Sequence, residues 1–268
     1  MPVYWFALSQ AKSIDILNAV LIFFILHLLV YPASNGYNSY MDEDKGSIGG
    51  IENPLPVNKE LLYLSIIFDV AAILLSIIIS LKVAIAVFIY IMASRLYSYR
   101  GVRLKKYPFL GYLTVVICQG ALVYYTVSIA IHSSVTLSDV WFPASITSLL
   151  IAGTYPLTQV YQHEQDLADG VITLSYKLGV KATFLFSGLL LLVAVLLLTV
   201  YFVNTEQLTA LIIYFITMIP VLIYFTKWFL KVDKDVSQAN FKNLMTMNYV
   251  ASVCSSVAFI AILVMKNL

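Results

Sequence analysis

The sequence predicts an all-α fold, a polytopic membrane helix bundle, and three observations predict it. Hydrophobic residues make up 61% of the chain and charged residues 11%, with a mean hydropathy of +0.89, a balance foreign to soluble domains. The apolar residues gather into runs close to the roughly 20 that carry a helix across ~30 Å of hydrocarbon. Lys and Arg crowd the loops on one side of those runs, the asymmetry of a multi-pass protein. A net charge of +2, with the basic residues confined to a few loops, does not point to nucleic acid.

Taken in order, Met1–Ala11 is apolar but too short to span, so it is an interfacial segment or the remaining end of a longer helix. Ser13 and Asp15 suit the start of a helix over Ile14–Ser34. Leu61–Leu81 follows, interrupted by Asp69, and Lys82 makes a tight turn into Val83–Tyr97, whose Arg95 is placed to snorkel to the interface. The basic loop YRGVRLKKYP leads to Phe109–Ile131, then Val140–Tyr161, Ala182–Val203, Leu208–Leu230 and Met245–Met265. The result is eight spans and one stump, read as a single domain over residues 1–268 with no long linker and no obligate protein partner in evidence. No basic stretch precedes the first apolar residues, so a cleavable leader of the usual form is not expected. Cys118 and Cys254 fall inside apolar runs and read as buried thiols, without a disulfide framework or zinc spacing.

With these spans, thirteen of the sixteen basic residues fall on one membrane face, including Lys45, Arg95, Arg100, Arg103, Lys105 and Lys106. The other face keeps Lys12, Lys82 and Lys266. The basic face is expected to be cytoplasmic, in a cell inner or plasma membrane.

One sixteen-residue stretch is used twice. Tyr31–Gly46 reads YPASNGYNSYMDEDKG and Tyr155–Gly170 reads YPLTQVYQHEQDLADG. At a constant offset of 124, Tyr31, Pro32, Tyr37, Asp42 and Gly46 recur as Tyr155, Pro156, Tyr161, Asp166 and Gly170. Ser34 pairs with Thr158, Asn35 with Gln159 and Asn38 with Gln162. On a helix, amide, amide and carboxylate at i, i+3 and i+7 share one face. A duplication relic kept for packing needs no three polar positions per copy, whereas oxygen coordination of a hard cation does. Both copies are expected to end at the cytoplasmic face, because the helices carrying them run in the same direction.

Together, Asp42 and Asp166, supported by Asn38, Asn35, Gln162 and Gln159, are the residue types that hold magnesium, with Asp44 and Asp169 as nearby reserves. Magnesium keeps several waters and binds through one or two carboxylates plus substrate phosphates. The loop GSIGGIENP and Gly170 let backbone approach a phosphate closely. Basic side chains in the Tyr99–Lys106 loop suit its outer oxygens. A diphosphate site opening onto an apolar bundle suits an isoprenoid diphosphate better than a nucleotide.

At these residues the chain resembles the UbiA superfamily of intramembrane prenyltransferases over nearly its whole length. The resemblance implies nine transmembrane helices, with N-x-x-x-D-x-x-x-D ending the second and D-x-x-x-D ending the sixth. Asn38 and Asp42 match the first motif, whose last Asp falls on Gly46. Asp166 matches the later acid of the second, whose earlier one falls on Gln162. GVITLSYKLG (Gly170–Gly179) resembles the family's G-x-x-T-L-x-x-x-L-G, and Tyr99, Arg103 and Lys105 its tyrosine-plus-base loop. The implied activity is magnesium-assisted ionisation of a prenyl diphosphate and capture of the allylic cation by a lipophilic acceptor, an aromatic quinone precursor first among them. The resemblance also makes Pro2–Ala11 the outer half of a first helix. The expectation is a reading frame that begins further upstream, with loss of the segment as the alternative.

Asp69 is an intramembrane carboxylate, and so either orients or deprotonates an acceptor or is a structural acid bonded to a neighbouring helix. Gln119 reads as interhelical glue; His27 reads as structural, His132 lies near the outer face, and His163 sits off the motif's best face. Two rivals stand beside the enzyme. One is a transporter, which inverted repeats would favour over these parallel copies; the other is a non-catalytic lipid-binding protein descended from an enzyme.

Overall fold

A backbone inside hydrocarbon has no water to bond, so each apolar run satisfies its own N–H and C=O groups as a helix. The computed structural model of the chain describes residues 1–43 and 46–266. A short α1 (Pro2–Gln10) comes first, followed by α2 (Ile16–Asp42), α3 (Lys59–Ile79), α4 (Leu81–Ser98), α5 (Pro108–Ile131) and α6 (Leu137–Gln159). Two short helices, α7 (His163–Ala168) and α8 (Leu174–Leu178), fill the next connection. The chain then continues as α9 (Val180–Asn204), α10 (Leu208–Lys234) and α11 (Phe241–Lys266). Among the described residues, eight helices are long and apolar enough to cross a membrane, as expected. The protein is an all-α, multi-pass integral membrane protein.

Capping sets the helix starts. The Asp15 carboxylate accepts from the Asn18 N–H at 2.9 Å, and Thr136 with Asp139 forms a capping box on α6. The turn between α3 and α4 falls at Ser80 rather than Lys82, because the Ser80 hydroxyl accepts the Val83 N–H at 3.2 Å and a lysine offers no such acceptor. Helix α2 continues past the expected end at Ser34 to Asp42 and stops where Glu43 turns left-handed at φ 52°.

α1 packs against α5 and α11. Phe6 stacks on Phe259 at 4.7 Å, and the Tyr4 hydroxyl donates to the Ala19 carbonyl at 2.9 Å. A second apolar cluster around Phe184, Trp228 and Leu244 holds α9, α10 and α11 together. Leu64, Ile67, Leu185, Ile216 and Leu222 face outward, the inverse of a water-soluble surface and suited to lipid.

Three departures from regular helix bear on the site. α2 and α5 each contain a π-helical turn, Ile25–Val30 and Ile117–Leu122. In α5 the Ser148 hydroxyl donates to the Val116 carbonyl at 3.1 Å and accepts from the Ala121 N–H at 3.0 Å, filling the opened turn. Gly120 makes this contact possible: a Cβ there would lie 2.5 Å from the Ser148 Cα. Pro156 has no N–H for the Ala152 carbonyl, and the Tyr112 hydroxyl donates to that carbonyl instead, at 3.0 Å.

Candidate active site

The first copy of the repeated stretch lies on the last turns of α2, and its geometry is the expected one. Asn35, Asn38 and Asp42 share a face and line a cavity of about 240 Å³. α4 fixes that face. The Ser34 and Ser94 hydroxyls bond at 2.6 Å, and the Ser98 hydroxyl donates to Asn38 Oδ1 at 2.7 Å, setting the amide's orientation. Arg95 does not snorkel. Its guanidinium pairs with Asp69 on α3, donates to the Ser65 carbonyl at 3.3 Å, and lies over the Tyr37 ring at 3.9 Å. An arginine that finds a carboxylate, a carbonyl and an aromatic face inside the bundle has no need to reach the interface. Asp69 is thereby the structural acid of the two readings, and it does not line the cavity.

The second copy is built differently. α6 ends at Gln159, and the chain passes through Val160–Gln162 before α7 begins at His163. The continuous helical face expected for Gln159, Gln162 and Asp166 is therefore interrupted. All three nevertheless line the same cavity, joined by Gln165 and Asp169. Gly170, at φ +72°, reverses the chain so that the Val171 N–H donates to the Asp166 carbonyl at 2.8 Å. Thr173 then caps α8, its hydroxyl accepting the Tyr176 N–H at 3.2 Å, and also lines the cavity. From the other side Ile48 and Gly49 of the glycine-rich loop complete the wall.

The loop after α4 brings the cations. Lys105 pairs with Asp42, and Arg103 pairs with Asp169 and lies 3.4 Å from Asp42. Arg100 stands 3.6 Å from Asp169. Burial works against the Arg103 charge, but Asp169 and Asp42 outweigh it and raise its pKa above the ordinary value. Tyr99 is not brought in. Its side chain is half exposed outside the cavity, while its carbonyl accepts the Val102 and Arg103 N–H groups. His163, bonded to Ser175, also stands outside the lining, and burial pushes its pKa below the usual imidazole value. Asp44 lies outside the described residues.

The donor set suits a hard cation that keeps waters and shares substrate oxygens. Among the described residues no three His, Cys, Asp or Glu side chains gather as a closed metal cage. Carboxylate and amide oxygens from both copies meet instead, and the buried Gln159 Oε1 finds no hydrogen-bond partner among the described residues.

Several lining residues were not singled out from the sequence: Ser94, Tyr97 and Ser98 on α4, and Tyr90 further in, where Cys118 and Gln119, read from the sequence as a buried thiol and as interhelical glue, also line the cavity. Ser94, Tyr97 and Ser98 stand at i, i+3 and i+4, a polar stripe on an apolar helix that was a readable signal. The Tyr97 and Tyr155 hydroxyls bond to each other across the cavity, where its polar mouth gives way to the interior.

Fold and cavity together define a membrane helix bundle that gathers acid, amide and basic groups at one end of its helices. The chain belongs to the UbiA prenyltransferase family, whose model matches residues 1–250. No curated protein matches it significantly. Among solved structures, a UbiA homologue from Archaeoglobus fulgidus bound to GPP and Mg2+ is similar at 17% identity and a TM-score of 0.67, over 97% of this chain and 94% of that one. The same homologue bound to DMAPP and Mg2+ gives a TM-score of 0.66 at 15% identity, over 97% and 93%. A structure from work on digeranylgeranylglyceryl phosphate synthase gives 0.61 at 22% identity, over 98% and 90%. At these identities the likeness carries the fold.

Proposed function

We propose that the chain, acting as one domain, transfers a prenyl group from an isoprenoid diphosphate to a lipophilic acceptor, an aromatic quinone precursor first among candidates, with magnesium as cofactor. The observation that carries this reading is the meeting of both repeated stretches in one cavity, with acids and bases at the mouth and tyrosines further in. The magnesium and prenyl diphosphates bound by the Archaeoglobus homologue support it.

In this reading Asp42 and Asp166 hold the metal, with Asn38 and Gln162 completing the oxygen shell and Asp169 and Asp44 in reserve. Asn35 and Gln159 contact the diphosphate beside them. When bound, magnesium supplies positive charge against the negative charge growing on the leaving diphosphate. Lys105 and Arg103 exchange their carboxylate partners for outer phosphate oxygens, an exchange between equally strong charge-assisted bonds. The C1–O bond of the substrate breaks, its electron pair leaving with the diphosphate. Tyr97 and Tyr155 face the allylic cation and wall it from water. The acceptor then bonds to C1 and releases a proton. In this reading the site faces the cytoplasmic side of a cell inner or plasma membrane, a reading supported by the crowding of basic residues on that face. Reporters fused after Lys106 and after Lys234 should read cytoplasmic, and one after Ser134 external.

A second reading, a non-catalytic isoprenoid-binding protein, draws on Gly46 and Gln162 standing where the resemblance expects acids, and on the basic partners already seated on Asp42. Membranes carrying the protein, incubated with labelled geranyl diphosphate, magnesium and an acceptor panel, separate the two. Magnesium-dependent diphosphate release with a prenylated product supports the enzyme; saturable binding without release supports the scaffold.

A further inference from the structure

Gln119 is the twelfth of the 24 residues of α5, about 17 Å along the helix and so near the middle of ~30 Å of hydrocarbon. An amide at that depth is costly unless something bonds it. It was expected to join two helices and does reach across to α4, but its side chain is also exposed and lines the inner end of the cavity. The hydroxyl beside it there is that of Tyr90 on α4, close enough to interact with it. An amide has two donors and an acceptor oxygen, so a single phenol leaves most of its bonding capacity facing the cavity.

The backbone holds that amide in place. Gln119 sits within the π-helical turn that Ser148 plugs and Gly120 presses against α6. π-turns inside α-helices frequently mark functional positions. Cys118 lines the cavity from the same turn and Thr114 from the helix just before it, and Tyr90 lies two turns deeper on α4 than Tyr97. An isoprenoid tail has nothing to bond an amide, so the tail alone would leave Gln119 unsatisfied. The ligand that fits is amphipathic, with one neutral hydroxyl or carbonyl on an apolar body.

We infer that Gln119, with the Tyr90 hydroxyl, is the recognition point for the polar group of the lipophilic acceptor, and that the acceptor carries a hydroxyl or carbonyl on the end away from C1. The inference rests on the prenyltransferase reading and adds the acceptor's chemical class. A site built to bond such a group rejects analogues lacking it more strongly than an apolar pocket rejects added bulk.

The test compares wild type with Gln119→Met, which keeps length and loses the amide, and Tyr90→Phe, which loses one hydroxyl. Geranyl S-thiolodiphosphate binding is measured apart from transfer kinetics with 1,4-dihydroxy-2-naphthoate and 4-hydroxybenzoate, and their deoxy analogues, which lack the ring-activating hydroxyl, are ranked by Ki as competitive inhibitors. Gln119→Met should raise the acceptor KM about tenfold, the equivalent of one or two lost hydrogen bonds, and flatten the binding preference for hydroxylated acceptors over the deoxy inhibitors. Tyr90→Phe should do the same more weakly, and thiolodiphosphate affinity should stay within twofold in both. An unchanged acceptor KM in a folded Gln119→Met protein overturns the inference, as does an equal loss of thiolodiphosphate binding. Wild type that binds thiolodiphosphate but prenylates none of the oxygenated acceptors also overturns it. Wild type that fails to bind thiolodiphosphate at all overturns the underlying function, a result distinct from the others.

Discussion

The two copies of the sixteen-residue stretch share residues and cavity but not backbone. In the first, α2 runs unbroken through Asn35, Asn38 and Asp42, and α4 grips it through Ser94, Arg95 and Ser98. In the second, the helix ends at Gln159, and Asp166 arrives on a separate short helix anchored by the turn at Gly170. The first copy is a rigid rail; the second is a loop folded back on itself. What the pair preserves is the set of oxygens facing the cavity, so it is the chemistry of the face, and not the helix beneath it, that both copies keep. The charges differ too, since Asp42 meets Lys105 and Arg103, while on the second side Asp169, not a repeat-matched position, meets Arg103 and Arg100.

The sharpest way to break the comparison is to remove each copy's acid. Asp42→Asn and Asp166→Asn should each lower prenyl turnover about 100-fold, the usual loss for a key electrostatic group. The double variant should cost less than the sum, because both serve one unit. Rates in nanodiscs against magnesium concentration measure this; folded single variants with wild-type rates would show the pairing to be mistaken. Next in size is Lys105→Met, which leaves Asp42 to Arg103 and removes a phosphate partner. The prenyl diphosphate KM should rise about tenfold, in keeping with a lost charge-assisted bond. An unaltered KM would mean that Lys105 serves Asp42 alone.

The grip of α4 has a smaller effect. Ser98→Ala deletes the bond to Asn38 Oδ1, and the magnesium concentration for half-maximal rate should rise roughly threefold, about one ordinary hydrogen bond's worth. Conversion of Thr158, on the second copy, to Val should change that concentration less, since its hydroxyl bonds its own helix, at the Tyr155 carbonyl. At the bottom of the scale, Glu164→Gln on the exposed side of α7 should leave rates within about twofold, as for surface changes. A larger loss there would show that α7 presents its other face to substrate.

Much of the fold and part of the site are legible in the amino-acid sequence, and what escapes it has physical causes. Hydropathy sets the eight spans because lipid imposes length and apolarity directly; Leu208 and Ile131 fall at helix ends as expected. The end of α2 escapes because Ser34–Asp42 is polar, and only the cavity it lines explains a polar helix there. Asn35, Asn38 and Asp42 are legible through their spacing and repetition. The break after Gln159 is not, since the same pattern is helical in the other copy. Arg95 misleads because snorkelling is the default for a lone basic residue near a membrane helix end. Its partner Asp69 lies 26 residues away, and only packing joins them. The π-turns leave no periodic mark at all.

The turn plugged by Ser148 has one more consequence. A π-turn is, in heritable terms, a helix carrying one residue too many. Deleting a single codon between Ile117 and Leu122 would let α5 close into a plain α-helix with both ends still on their own faces, whereas the same deletion in a regular stretch would turn one end against the other by about 100°. The half that reaches the basic loop and the half that packs beneath α1 would keep their neighbours, and the opened turn that Ser148 fills would be lost. Substitution at these positions retunes the inner cavity one side chain at a time, whereas a deletion there withdraws the turn itself.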